Sequence, residues 1–320
     1  LPEALSNDLC SLKPDVPRMA MVAEMPFDRD GKPAGAPQFS AAVIQSRARL
    51  TYTWVFEAVI EDRGGGTKMD TTPLGSPSPD PAPSLTRIGG ELERGGVGGG
   101  VHAMLKSAEK LARLMHGLRQ EAGGLDFELP EPEIKVDAAD GNLSIVREER
   151  NFAHQLIEMF MVAANEAVAG FLAMRGGLVP YRTHPAPDPD KLLGLFELLG
   201  RTGLARLDKY MGRGGGTGRG APFVSPAALP DILAGARGTD AEFVVSRLVL
   251  RTMMQAKYSL DNEGHFGLAS ACYCHFTSPI RRYADLLVHR ALKHVLGLEG
   301  FGPLPGRERL TDMLDIVNAD

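Results

Sequence analysis

The chain has 320 residues, 43% of them hydrophobic and 23% charged, with a formal net charge of −5. That composition suits a globular protein of one or two domains, and the charge excludes a globally basic surface that would advertise nucleic acid on its own.

Residues 1–18, "LPEALSNDLCSLKPDVPR", predict a short helical turn and a loop, with Leu5, Leu9 and Leu12 packed inward. "MAMVAEMPF" predicts a strand. The Asp30-Gly31 turn returns the chain through "QFSAAVIQS", which makes a hairpin. Helical periodicity follows over about 49–61. Residues 63–100 are rich in Gly, Pro and Ser and bury too little apolar surface to order themselves, so they predict a flexible insertion. Helix resumes at about 101–121, where Leu105, Ala108, Leu111, Met115 and Leu118 share a face. A second hairpin joins "EIKVD" to "LSIV" around Asp140-Gly141. A long helix is predicted over about 150–174, and others near 189–200, 240–257 and 279–296. "MGRGGGTGRGAP" predicts a second mobile loop, over 212–222. The chain begins at Leu1 and ends within a helical pattern, as a segment cut from a longer protein would. Hairpins mixed with long helices argue for an α+β fold.

Several chemistries are absent from the sequence. Three cysteines, Cys10, Cys272 and Cys274, make no disulfide framework, and Cys272-x-Cys274 lacks the second pair of a four-ligand zinc site. The glycine runs hold no P-loop, "DAADGN" has the wrong spacing for an EF-hand, and no H-E-x-x-H occurs. No apolar run approaches the ~20 residues of a membrane span. No signal-peptide pattern is present, so a reducing cytoplasm is expected.

"HFTSPIRRYAD", from His275 to Asp285, poses the chemical question. Ser278-Pro279 predicts a helix start, yet Arg281 and Arg282 fall in the first turn, where the helix dipole is already positive. One reading is a solvated face with Arg281 paired to Asp285. The other is an anion at this helix end, where N–H groups and guanidinium forks converge on a phosphate. Local charge favours the second. Residues 270–297 carry Arg281, Arg282, Arg290 and Lys293 against Asp285, and 201–222 carry Arg201, Arg206, Lys209, Arg213 and Arg219 against Asp208. On the 150–174 helix, His154, Glu158 and Asn165 form one polar stripe. That stripe either meets water or offers Glu158 to a ligand hydroxyl such as a ribose 2′-OH. Tyr52 and Phe127 are aromatics that serve either as core or as contacts to a base or sugar.

"GHFGLASACYCHFTSPIRRYADLLVHRAL" closely resembles the signature of the RNB exoribonucleases. "LPEALSNDLCSLKPDVPR", "AVIQSRARLTYTWV", "GGLDFELPEPEIKV", "NFAHQLIEMFMVAANEAVA" and "YRTHPAP" resemble further blocks in the family's order. "HFGLA" and "HFTSPIRRY" favour its ribonuclease R branch. The resemblance implies the C-terminal two-thirds of an RNB catalytic domain over 1–320, a mixed or antiparallel sheet flanked by long helices and truncated at both ends. It implies a processive 3′→5′ exoribonuclease that hydrolyses single-stranded RNA to nucleoside 5′-monophosphates with Mg2+. The alternative is an RNB-like protein that holds RNA without cutting it. Among site residues it implies catalytic roles for Arg281, at the scissile phosphate, and for Tyr52 and Glu158, at the RNA sugar. Phe127 would stack on the terminal base, and Arg282, Ser278 and His275 would also bind RNA. The family's metal-binding aspartates belong upstream of Leu1, so no metal ligand is expected in this chain, and the chain alone is expected to lack nuclease activity. A monomer with no membrane contact is expected.

Overall fold

The computed structural model describes residues 2–61, 97–127, 131–136, 143–148, 151–203, 211–213, 222–299 and 302–319. The predicted flexible insertion at 63–100 lies outside them up to residue 96, and the second loop lies outside them between its two ends.

After a π-helical turn, Ala4–Leu9, strands β1 (Pro17–Glu24) and β2 (Gln38–Gln45) pair antiparallel, with Glu24 opposite Gln38. The turn between them is built as its residues require. The Asp28 carboxylate accepts the N–H groups of Asp30 and Lys32, and Gly31 takes a φ of +81°. A Cβ at Gly31 would stand 2.7 Å from the Leu114 Cβ, so glycine also allows a close approach. Helix α1 (Tyr52–Val55) starts at Thr51, whose hydroxyl caps Trp54 N–H, and continues as a π-helical turn to Ile60. Then follow α2 (Val97–Glu121), β3 (Glu131–Val136), β4 (Leu143–Glu148), α3 (Phe152–Met174), β5 (Tyr181–Thr183), α4 (Pro189–Thr202), β6 (Met211–Arg213) and β7 (Pro222–Val224). Helices α5 (Leu229–Ala236) and α6 (Glu242–Thr252), strand β8 (Lys257–Ser259), and helices α7 (Tyr283–Val295) and α8 (Arg307–Ala319) complete the order.

The fold is α+β with antiparallel pairing, as expected. Among the described residues the strands form four separate two-stranded antiparallel pairs, β1-β2, β3-β4, β5-β8 and β6-β7. The boundaries differ. Helix α2 begins at Val97 and takes four residues from the expected insertion. The ends of the expected loop at 212–222 are paired strands. Leu5, Leu9 and Leu12 do not pack inward but are exposed. Their segment is held by charge instead, with Asp8 accepting from Lys13 at 3.0 Å and from Arg18 at 3.1 Å.

Two compact units divide the chain. The first comprises Leu1–His116, Asn151–Pro180 and Cys274–Asp320. Its core centres on α3. Leu156 and Met159 pack with Ala112, and Ala153 packs with Val55, Ala58 and Val59. By length and composition, α3 could cross a membrane, which corrects the reading that no apolar run is that long. Half of it is buried inside the protein, in the manner of a core helix. The second unit comprises Gly117–Arg150 and Tyr181–Tyr273. Its core joins Leu192, Phe196 and Leu199 of α4 to Leu229 and Ile232 of α5 and Val245 and Val249 of α6.

Candidate nucleic-acid interface

In the first unit, the segment 274–282 is tied down at every turn. Asn165, in the middle of α3 and only 2% exposed, accepts the Phe276 N–H on its side-chain oxygen at 2.8 Å. Its backbone carbonyl accepts the Cys274 thiol. Asn165 therefore leaves the polar stripe predicted with His154 and Glu158, because its amide satisfies backbone that would otherwise be buried unpaired. The carbonyl of Phe276 accepts from Nε2 of His289 at 2.8 Å, and the two rings stack 4.4 Å apart. Burial holds the His289 pKa below its ordinary value, which keeps the ring neutral.

The last tie is a carboxylate. Asp285, fully buried, accepts the Ser278 N–H at 2.7 Å and both Nε and Nη2 of Arg282 at 2.9 Å. This moves the helix start. Residues Ser278–Arg282 form a turn in which the N–H groups of Arg281 and Arg282 point to the Ser278 carbonyl, and α7 begins at Tyr283, four residues after Pro279. The dipole conflict is thereby reduced: Arg281 precedes the helix, and the charge of Arg282, its N-cap, is met by Asp285 in the first turn.

The two arginines are not equivalent. Arg282 is committed to Asp285, the pairing expected of Arg281 in the solvated-face reading. The Arg281 side chain is exposed, and its guanidinium makes no hydrogen bond or ion pair among the described residues. A free guanidinium on a rigidly tied turn is suited to an external anion. Ser278 and His275, both half-buried, lie in the same segment.

The N-terminal part of α3 brings Tyr52 beside the predicted stripe. Tyr52 opens α1 and is 45% exposed. Its ring lies flat on His154, with centroids 4.0 Å apart and planes 23° apart. Glu158, half-buried, is one turn further along α3. So α3 carries Glu158, supports Tyr52 and anchors the arginine turn through Asn165. Phe127, in the second unit, follows the Gly123-Gly124 bend that ends α2. It packs partly buried against the core of α4, α5 and α6.

Sequence reasoning missed the roles of Asn165, Asp285 and His289, whose signal is a polar residue on an apolar helical face. It also gave no role to a histidine pair in the second unit. His184 accepts the Gly267 N–H on Nδ1 at 3.1 Å and donates from Nε2 to the Met254 carbonyl at 2.9 Å. A Cβ at Gly267 would meet His184 Nδ1 at 3.0 Å, hence glycine there. Burial lowers the pKa of both His184 and His265, that of His265 to about 4. Among the described residues no three His, Cys, Asp or Glu side chains converge as metal ligands. Among the described residues, then, no side-chain cluster stands out as the seat of the Mg2+ that the resemblance implies.

The fold and the arginine turn define a class first, the RNB fold: the sequence profile of the RNB domain matches residues 1–297. The chain belongs to the RNB domain family. It is 37% identical over 298 residues to ribonuclease R of Aquifex aeolicus, covering 92% of this chain and 36% of that protein. It is 34% identical over 300 residues to ribonuclease R of Escherichia coli, covering 93% and 32%. Mycoplasma genitalium RNase R, solved in complex with ribose methylated single-stranded RNA, superposes with a TM-score of 0.73 at 30% identity, covering 99% of this chain and 42% of that one. The chain thus spans about a third of the length of the curated relatives it matches.

Proposed function

We propose that the full-length protein carrying this chain is a processive 3′→5′ exoribonuclease, which hydrolyses single-stranded RNA to nucleoside 5′-monophosphates. The supporting observation is the exposed Arg281 guanidinium, free among the described residues, on a turn tied through Phe276, Ser278 and Arg282. Hydrolysis of a phosphodiester spreads charge over the phosphoryl oxygens in the transition state. A preorganised guanidinium aimed there stabilises that charge more than it stabilises bound substrate. In the first unit Tyr52 and Glu158 take an RNA sugar, and His275 and Ser278 line the strand's path; in the second unit Phe127 stacks on a base. The ribonuclease R relatives and the RNA-bound Mycoplasma genitalium structure support this reading. Mg2+ dependence, a cytoplasmic location and a monomeric state belong to the same proposal; no step is assigned to the metal.

Arg281→Ala in the full-length protein tests it. Turnover on a single-stranded RNA should fall by roughly 10²-fold or more, as when one transition-state contact is removed. RNA affinity should change by less than about threefold, because one phosphate contact among many is lost. Equal losses in both would remove Arg281 from the chemistry. Tight RNA binding by the unaltered protein without degradation would favour the non-catalytic alternative.

A further inference from the structure

We infer that His154 is a positioning residue: its ring is the platform that fixes Tyr52 for the RNA sugar. The inference rests on the role proposed for Tyr52 and adds a residue to it. Two independent features of the structure converge on His154.

The first is its place in the helix cap. Asn151 caps α3 by accepting the Ala153 N–H at 3.0 Å. His154, three residues on, reaches back, with Nδ1 3.4 Å from the Asn151 backbone nitrogen and 3.0 Å from the Asn151 Oδ1. Glu or Gln is the usual residue for that reach, and either would complete the cap without a ring. The second feature is what a ring adds. The imidazole, immobilised by the cap, stacks on Tyr52 at 4.0 Å. Tyr52 is half-exposed, and its hydroxyl makes no hydrogen bond among the described residues. Its backbone is set by the Thr51 cap and by the buried Val55 and Val59 below it. The remaining freedom is rotation of the exposed ring, and the stack on His154 removes it. One face of the tyrosine is thereby consumed. Among the described residues no other ring stacks on Tyr52 and no hydrogen bond engages its hydroxyl, and the side chain, 45% exposed, lies against the helix carrying Glu158. Ordering such a ring before substrate arrives lowers the cost of ordering it in the complex.

The two jobs of His154 separate by substitution in the full-length protein. His154→Gln keeps the cap and removes the ring. It should hold the melting temperature within about 2 °C, yet lower turnover and RNA-over-DNA discrimination roughly three- to tenfold, the scale of one aromatic contact. His154→Phe keeps the ring and removes the cap. It should lower the melting temperature by ~2–4 °C and recover turnover and discrimination to within about twofold of the unaltered protein. A His154→Gln variant with unchanged turnover and discrimination would overturn the inference, and so would a Phe variant as impaired as Gln. Tyr52→Ala, measured alongside, separates the two levels. If it costs activity while His154→Gln does not, only the positioning role falls. If Tyr52→Ala costs nothing, the role of Tyr52 falls and takes this inference with it.

Discussion

Replacing Asp285 by alanine tests the framework that holds Arg281. The carboxylate is fully buried and accepts three hydrogen bonds, one from the Ser278 N–H and two from Arg282. Removing one partner of a buried ion pair costs about 3–5 kcal/mol, because the other charge is left uncompensated. The Arg282 side chain is 24% exposed, so water recovers part of that loss. The unpaired Ser278 N–H adds about 1 kcal/mol. The expected destabilisation is about 3 kcal/mol, read from urea unfolding of the chain followed by far-ultraviolet circular dichroism. Arg282→Ala and the double variant complete a cycle, and the coupling between the two sites should be about 1.5–3 kcal/mol. In the full-length protein, Asp285→Ala should also lower turnover, since Arg281 loses its fixed turn. A cost below about 0.5 kcal/mol, with additive single effects, would refute the reasoning that the carboxylate holds this segment.

Two further expectations concern specificity and acid. Glu158→Ala in the full-length protein should weaken discrimination between RNA and DNA of the same sequence roughly tenfold, the worth of one hydrogen bond to a charged acceptor; an unchanged ratio of dissociation constants would return Glu158 to a structural role. Acid should destabilise the chain through its half-buried histidines. The unfolded state takes up protons near pH 6.5, while folded His265 does so only at about 4. Stability is therefore complete above pH 6.5 and is lost as pH falls towards 4, by about 2–3 kcal/mol for His265, with His184 and His289 acting in the same direction. Unfolding measured across that range should show the slope, and His265→Asn should flatten it; an unaltered slope in the variant would assign the acid sensitivity elsewhere.

The parts visible in sequence are those whose causes are local. Asp28, Gly31 and the alternation around them mark the first hairpin, and the apolar periodicity of α3 is unmistakable. What escaped depends on partners far along the chain. Asn165 looks like a member of a polar stripe until Phe276 is brought to it. Strands β5 and β8 are three residues each and pair across a long separation, so neither carries an alternation long enough to notice. Ser278-Pro279 has the composition of a helix start, but a carboxylate on the following turn captures the Ser278 N–H and shifts the start to Tyr283. Within the site, spacing alone marked Arg281 and Arg282 as a pair without separating them. Asp285 separates them. The choice of Tyr52 and Phe127 over other aromatics came from the family resemblance, because neither spacing nor composition distinguishes a platform from a core ring.

The division of labour between the adjacent arginines has an evolutionary corollary. Arg282 and Asp285 answer to folding, so substitution at either is penalised whether or not the protein still works. The Arg281 side chain carries no such obligation within the described residues, and under the role proposed for it selection there acts through chemistry alone. A lineage that abandoned its activity should let position 281 drift early while preserving the neighbouring pair, leaving a signature of lost function beside an intact fold.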